Sequence, residues 1–139
     1  MRAMKKRLTG VAVPLGALYT KDNPVIGEFG DLKPFADFCK AAGISIIQLL
    51  PVNDAGAESS PYSARSAFAL NPVFINVQSV EGSSEYEDEI RAGKADFKKY
   101  GKIDYYNITT WKRMILRKIF DNRYDDLKKD KVLQRWIDD

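Results

Sequence analysis

Residues 44–52, Ile-Ser-Ile-Ile-Gln-Leu-Leu-Pro-Val, form an almost unbroken apolar run without a helical period. A run this short, with no 3.6-residue stripe, predicts a strand covered on both faces, as in parallel sheets flanked by helices. Residues 60–77, SPYSARSAFALNPVFINV, then open on small hydroxyl residues with Pro61 and Tyr62 and reach Asn71-Pro72 ahead of a β-branched run. This pattern predicts an extended polar loop feeding another strand. A buried parallel strand followed by a loop bearing an exposed tyrosine is how an α/β barrel builds a site at its C-terminal face.

Upstream, residues 10–18 (GVAVPLGAL) read as a first strand, and residues 19–30, with Asn23-Pro24 and two glycines, as a loop. That loop lacks the spacings of G-x-G-x-x-G and of the P-loop, so it is no phosphate cradle. Asp31 is placed to cap a helix over residues 31–42, with Leu32, Phe35, Ala36 and Cys39 on one stripe and Gly43 as its stop. Strand, helix and strand at this distance predict a βαβ unit with parallel strands.

After Val77 the chain turns charged and weakly apolar, broken by Gly82, Gly93 and Gly101. One loose helix over residues 84–91 is expected, its charges a solvated face. Asn107 or Thr109 can cap the next helix, with Trp111, Met114, Ile115 and Ile119 as its apolar stripe opposite Lys112, Arg113, Arg117 and Lys118. A last helix from about Asp125 would group Val132, Leu133, Trp136 and Ile137. The chain stops at Asp138-Asp139 without a cap or breaker, which reads as a fragment ending inside a helical segment.

With 139 residues the chain is too short for a complete eight-unit barrel of about 250. The division expected is residues 1–78 as the first strand-helix-strand units with the loop, and 79–139 as a truncated helical subdomain. Residues 1–7 are basic and residues 10–18 apolar, the outline of a secretory signal, but Pro14 interrupts the run and no convincing cleavage site follows. The single Cys39 excludes an internal disulfide and reads as a buried, reduced thiol in the cytoplasm. A net charge of +3 gives no reason to expect nucleic acid or an anionic membrane as partner, and no apolar run approaches the roughly 20 residues of a membrane span. With no histidine, Ser-His-Asp and Cys-His catalysis and histidine zinc sites are excluded. No cofactor or metal is expected.

Several motifs in order carry a resemblance. Leu49-Leu50-Pro51-Val52-Asn53-Asp54, then Ser60-Pro61-Tyr62-Ser63, then Ser66 to Pro72 (SAFALNP) resemble the start of the 4-alpha-glucanotransferases, the amylomaltase or disproportionating enzymes. Ile26-Gly27-Glu28-Phe29-Gly30-Asp31-Leu32 upstream, and Ile103-Asp104-Tyr105 with Trp111-Lys112 and Leu116-Arg117 downstream, extend it. The resemblance implies an α/β fold, the N-terminal portion of a TIM (β/α)8 barrel with part of an inserted helical subdomain. It also implies transfer of α-1,4-glucan segments between maltooligosaccharides by a retaining mechanism, with the catalytic carboxylates on later strands and none in this chain.

The resemblance also implies that the tyrosine of Ser60-Pro61-Tyr62 packs on the glucose at the cleavage point. From its chemistry alone, Tyr62 suits carbohydrate, since its ring offers a flat apolar face and its hydroxyl a hydrogen bond. The candidate substrate-binding residues are therefore Tyr62, Ser60 and Asp54. Asp54 can alternatively bond the loop backbone, Asp31 reads as a helix cap, and Phe68 and Phe74 as core anchors. Asn71-Pro72 reads as a turn and Arg65 as ordinary surface. A hydrolytic α-glucan barrel and a non-catalytic binding module are the other readings these residues allow.

Overall fold

The protein is described by a computed structural model over residues 7–21, 23, 25–56, 58–99 and 103–138. Residues 1–6 with most of the basic N-terminal run, Pro24, Gly101 and Asp139, which entered the expectations above, lie outside them. Two strands, β1 (Gly10–Val13) and β2 (Ile46–Leu49), pair in parallel, with Gly10 opposite Ile46 and Val13 opposite Leu49. The helix α1 (Leu32–Ala41) joins them, so the expected parallel strand-helix-strand unit is present.

Both strands are shorter than the expected 10–18 and 44–52. Pro14 has no N–H to give a ladder, and after it the chain coils into a 3-10 turn at Leu15–Ala17. The cover expected on both faces of the second strand is incomplete among the described residues. Positions along it alternate between exposed and half-buried, and Ile46 is 48% exposed.

Asp31 does not cap α1. It sits in the helical region (φ −75°, ψ −12°) as the last residue of a 3-10 turn at Phe29–Asp31, whereas a cap needs extended backbone. Its carboxylate turns back instead, with Oδ2 accepting from the Glu28 N–H at 2.8 Å and from Asn23 Nδ2 at 3.2 Å. At the other end Gly43 is the expected stop, left-handed at φ +74°. The Ile44 N–H donates to Cys39 O at 2.8 Å and the Gly43 N–H to Lys40 O at 3.2 Å, which satisfies two carbonyls of the last turn. Cys39 is buried as expected; of its stripe Leu32 and Phe35 are half-buried and Ala36 is exposed.

No strand follows Asn71-Pro72 among the described residues. Residues 72–79 form two 3-10 turns, Pro72–Phe74 and Val77–Ser79, because Asn71 and Asn76 each accept with Oδ1 from the N–H two residues on, at 3.0 Å in both cases. This local capping overrides the β preference of valine and isoleucine. Phe74 is buried and meets Phe29 edge-on at 5.9 Å, as a core anchor should. Phe68 is the opposite, 93% exposed. Ser66 Oγ accepts from the Phe68 and Ala69 N–H groups, a turn that carries the ring outward.

The remaining described residues are mostly helical. Helix α2 (Glu87–Lys98) follows a 3-10 turn at Ser83–Tyr86 and runs well past the expected residue 91. Helix α3 (Tyr105–Leu127) begins earlier than expected because Asp104 is the cap, its Oδ1 accepting from the Asn107 N–H at 3.1 Å; Asn107 and Thr109 lie inside the helix. Helix α4 (Lys131–Asp138) starts six residues after Asp125, where Asp130 Oδ1 accepts from the Val132 and Leu133 N–H groups. Its Val132, Trp136 and Ile137 are exposed.

Helix α3 ties two cores together. Ile108 joins Leu15, Val25, Ile26, Val73 and Phe74, while Trp111, Ile115 and Ile119 join Val77 and Ile90. Ile108, Lys112, Ile115 and Ile119 follow the i, i+4, i+7, i+11 stripe, so Lys112 points inward and Met114, expected in that stripe, is 45% exposed. The Lys112 side chain is 1% exposed and its Nζ donates to Glu28 Oε1 at 2.5 Å, Val73 O at 2.6 Å and Ile75 O at 2.8 Å. An ammonium has three N–H donors, and all three are used. Burial pulls the Lys112 pKa below its ordinary value and pushes that of Glu28 above, each opposed by the other's charge.

Lys112→Met should destabilise the protein by about 3–5 kcal/mol in urea unfolding, because it leaves a buried carboxylate unpaired. Adding Glu28→Gln should recover part of that loss; a double variant as unstable as the sum of the two singles would show that the pair is not the cause.

Candidate functional site

A shallow cleft opens at the carboxyl ends of the two strands. Pro14 and Gly16 from beyond β1, Pro51 and Asn53 from beyond β2, and Ser60 and Pro61 from the following loop all line it. Tyr105, the first residue of α3, forms a further wall. The approach is close: a Cβ placed on Gly16 would lie 2.6 Å from the Tyr105 hydroxyl oxygen.

The loop from Asp54 to Leu70 is held at its neck by backbone and Asx bonds. The Asp54 N–H donates to Ala69 O at 2.9 Å, and Asp54 O accepts from the Arg65 N–H at 2.8 Å. Asp54 Oδ1 accepts from the Gly56 N–H at 2.9 Å, an Asx turn, and Asn53 Nδ2 donates to Ala67 O at 2.9 Å. Asn53 and Leu70 form an isolated antiparallel bridge. Four anchoring hydrogen bonds in this short neck keep the loop closed, although most of its side chains face solvent.

The three residues singled out in the sequence share this loop but hold different places. Ser60 lines the cleft, and its Oγ accepts from the Tyr62 N–H at 3.3 Å. Tyr62 stands outside the cleft lining and is 74% exposed. Asp54 sits at the neck, with Oδ1 committed to Gly56 and Oδ2 at 4.0 Å from Arg113 Nη2 of α3. Asp31 stays with the buried Glu28 network and is not part of the cleft lining.

Tyr105 is the site residue that residue-level reading passes over. Ile103-Asp104-Tyr105 stood out only as a motif, and its place in the wall depends on α3 folding back 89 positions onto Gly16, which no local pattern signals. Burial raises the Tyr105 pKa above the usual phenol value. Among the described residues no group of three or more His, Cys, Asp and Glu side chains is arranged to hold a metal ion.

The α/β unit thus gathers hydroxyl, amide and aromatic groups over its strand ends, beside a bonded loop that displays a tyrosine. The chain belongs to the 4-alpha-glucanotransferase family, whose model matches residues 13–139. It is 34% identical over 125 residues to the 4-alpha-glucanotransferase of Chlamydia trachomatis, covering 88% of this chain and 23% of that protein. It is 36% identical over 140 residues to the 4-alpha-glucanotransferase DPE2 of Oryza sativa subsp. japonica, covering 96% of this chain and 14% of that one. Against the 4-alpha-glucanotransferase of Clostridium butyricum it is 33% identical over 125 residues, with coverages of 82% and 25%. The chain thus spans a quarter or less of these relatives.

Because its folded pKa is raised, Tyr105 holds its proton longer in the folded state than in the unfolded chain. Its contribution to stability is complete below the ordinary tyrosine value of about 10 and is lost as pH rises through the higher folded value. Alkaline unfolding of wild type against Tyr105→Phe should therefore diverge only above about pH 10; identical stability profiles across that range would mean the phenol is freely solvated.

Proposed function

We propose that these residues are the N-terminal part of an enzyme that transfers α-1,4-glucan segments between maltooligosaccharides. The observation that carries this reading is the Ser60-Pro61-Tyr62 limb, presented on a bonded loop beside the strand-end cleft, in a chain whose relatives are named 4-alpha-glucanotransferases. Residues 1–78 then begin a (β/α)8 barrel, which the parallel pairing of β1 and β2 around α1 supports, and residues 79–139 belong to a helical subdomain inserted after the second strand. No helix among the described residues is long and apolar enough to cross a membrane, and the proposed location is the cytoplasm, with no cofactor needed.

The proposed reaction is a double displacement. An ionised carboxylate attacks the anomeric carbon of the donor glucan while a protonated carboxyl gives its proton to the departing glycosidic oxygen. The covalent glycosyl-enzyme is then opened by a hydroxyl of an acceptor sugar, whose proton passes back to the second carboxylate. Both groups lie outside these 139 residues. This segment's part is binding: Tyr62 stacks on the glucose at the cleavage point, Ser60 meets a sugar hydroxyl from the cleft wall, and Asp54 offers Oδ2 as an acceptor.

In the full-length enzyme Tyr62→Phe should be mild and Tyr62→Ala severe, since the ring face supplies most of the contact. A loss of about 2–3 kcal/mol of transition-state binding corresponds to a roughly thirty- to hundredfold fall in kcat/KM for glucan transfer. Unchanged transfer kinetics for Tyr62→Ala would end the stacking assignment. The isolated 139-residue piece should show no disproportionation of maltooligosaccharides; measurable transfer by it would place the catalytic carboxyls within this chain.

A further inference from the structure

We propose that Arg65 is a positioning residue that fixes the limb of the loop carrying Ser60 and Tyr62; the kinetic part of this inference rests on the glucan reading of that limb. Gly56 is left-handed at φ +64°, the turn from which the limb departs. A Cβ built on Gly56 would lie 2.6 Å from both Cζ and Nε of Arg65 and 3.1 Å from Nη1, so the guanidinium rests face-on against the glycine. Asp54 binds both ends of the same limb, through Oδ1 to the Gly56 N–H and through its carbonyl oxygen to the Arg65 N–H. Nine positions separate Gly56 from Arg65, and they close on each other across one aspartate.

Glycine visits left-handed and other backbone regions with little cost, so an uncovered Gly56 would let the limb depart in several directions. A rigid planar group lying on its open side removes those alternatives. Among the described residues the limb's other bonds are short-range: the Glu58 N–H to Ala55 O at 3.2 Å, the Tyr62 N–H to Ser60 Oγ at 3.3 Å and the Ser63 N–H to Ser60 O at 3.1 Å. The Gly56–Arg65 contact joins the two ends of this limb and so restrains the direction in which Tyr62 is displayed. No side-chain hydrogen bond or ion pair engages the Arg65 guanidinium among the described residues, so its shape, not its charge, is what this contact uses.

Loosening this contact lowers the fraction of free enzyme with Tyr62 in place, which raises the apparent dissociation constant in proportion. In the full-length enzyme Arg65→Ala should raise KM for maltotriose roughly tenfold while kcat stays within about twofold and Tm is unchanged. Arg65→Lys, which keeps the charge and loses the plane, should behave like Arg65→Ala; full activity of the lysine variant would overturn the proposal. Because Arg65 acts through Tyr62, Tyr62→Ala combined with Arg65→Ala should be no worse than Tyr62→Ala alone. Independent, additive losses would instead mean direct contact with the sugar. Hydrogen exchange of the sugar-free protein supplies the second readout: the amides of Gly56, Glu58, Tyr62 and Ser63 should exchange faster in Arg65→Ala and in Gly56→Ala, whose methyl would push the guanidinium away. Unchanged exchange overturns the positioning role whatever the kinetics show. Faster exchange in a protein that transfers no glucan would uphold Arg65 and remove the glucan reading instead.

Discussion

The buried pair of Lys112 and Glu28 is the interaction on which the arrangement of this chain depends. Glu28 belongs to the turn that leads into α1, Lys112 to the middle of α3, and the two carbonyl oxygens that complete the ammonium's partners come from Val73 and Ile75. One side chain thus fastens three segments far apart in sequence. Withdrawing an ammonium and a carboxylate from water is costly, so a pair of this kind specifies an arrangement more than it adds stability: the helix fits only where all three acceptors converge. That convergence brings the start of α3 against the end of β1 and so puts Tyr105 into the cleft wall.

The chain around the cleft is turned by short polar side chains that bond to backbone groups. Asn53, Asp54, Asn71 and Asn76 each spend a side-chain oxygen or amide on a nearby backbone group, and the result is a chain that turns tightly without being helical or extended. This frees the loop to display side chains that pack on nothing. Phe68 and Tyr62 are both held outward by serine-centred turns, one through Ser66 and one through Ser60. Loops of this construction are ordered at the neck and exposed at the tip, where binding residues are commonly displayed.

Much of the first half was legible because its signals are local. Apolar runs signalled the two strands, the stripe ending in Cys39 signalled α1, and Gly43 its end, each a pattern confined to neighbouring residues. The two turns after Asn71 were legible in principle as well, from asparagines five positions apart, but valine and isoleucine suggested a strand and their β preference loses to a formed Asx bond. Asp104 as the cap of α3 is similarly legible, three positions before Asn107.

Sequence alone located the two parallel strands, α1 and the polar loop, because hydrophobic periodicity and turn chemistry act over a handful of residues, while Ser60, Tyr62 and Asp54 came forward as candidate contacts from the loop's chemistry and the family resemblance. Tertiary structure decided the rest. Lys112 lies on a helical stripe whose other members are apolar, and a lysine there reads as solvent-facing unless its acceptors are known; they come from positions 28, 73 and 75. Arg65 reads as ordinary surface until its guanidinium is seen on Gly56, and Tyr105 as a helix start until it is seen across from Gly16. In each case the deciding contact joins residues whose separation in sequence carries no periodic signal, so only the folded chain, which brings them within van der Waals distance, reveals what they do.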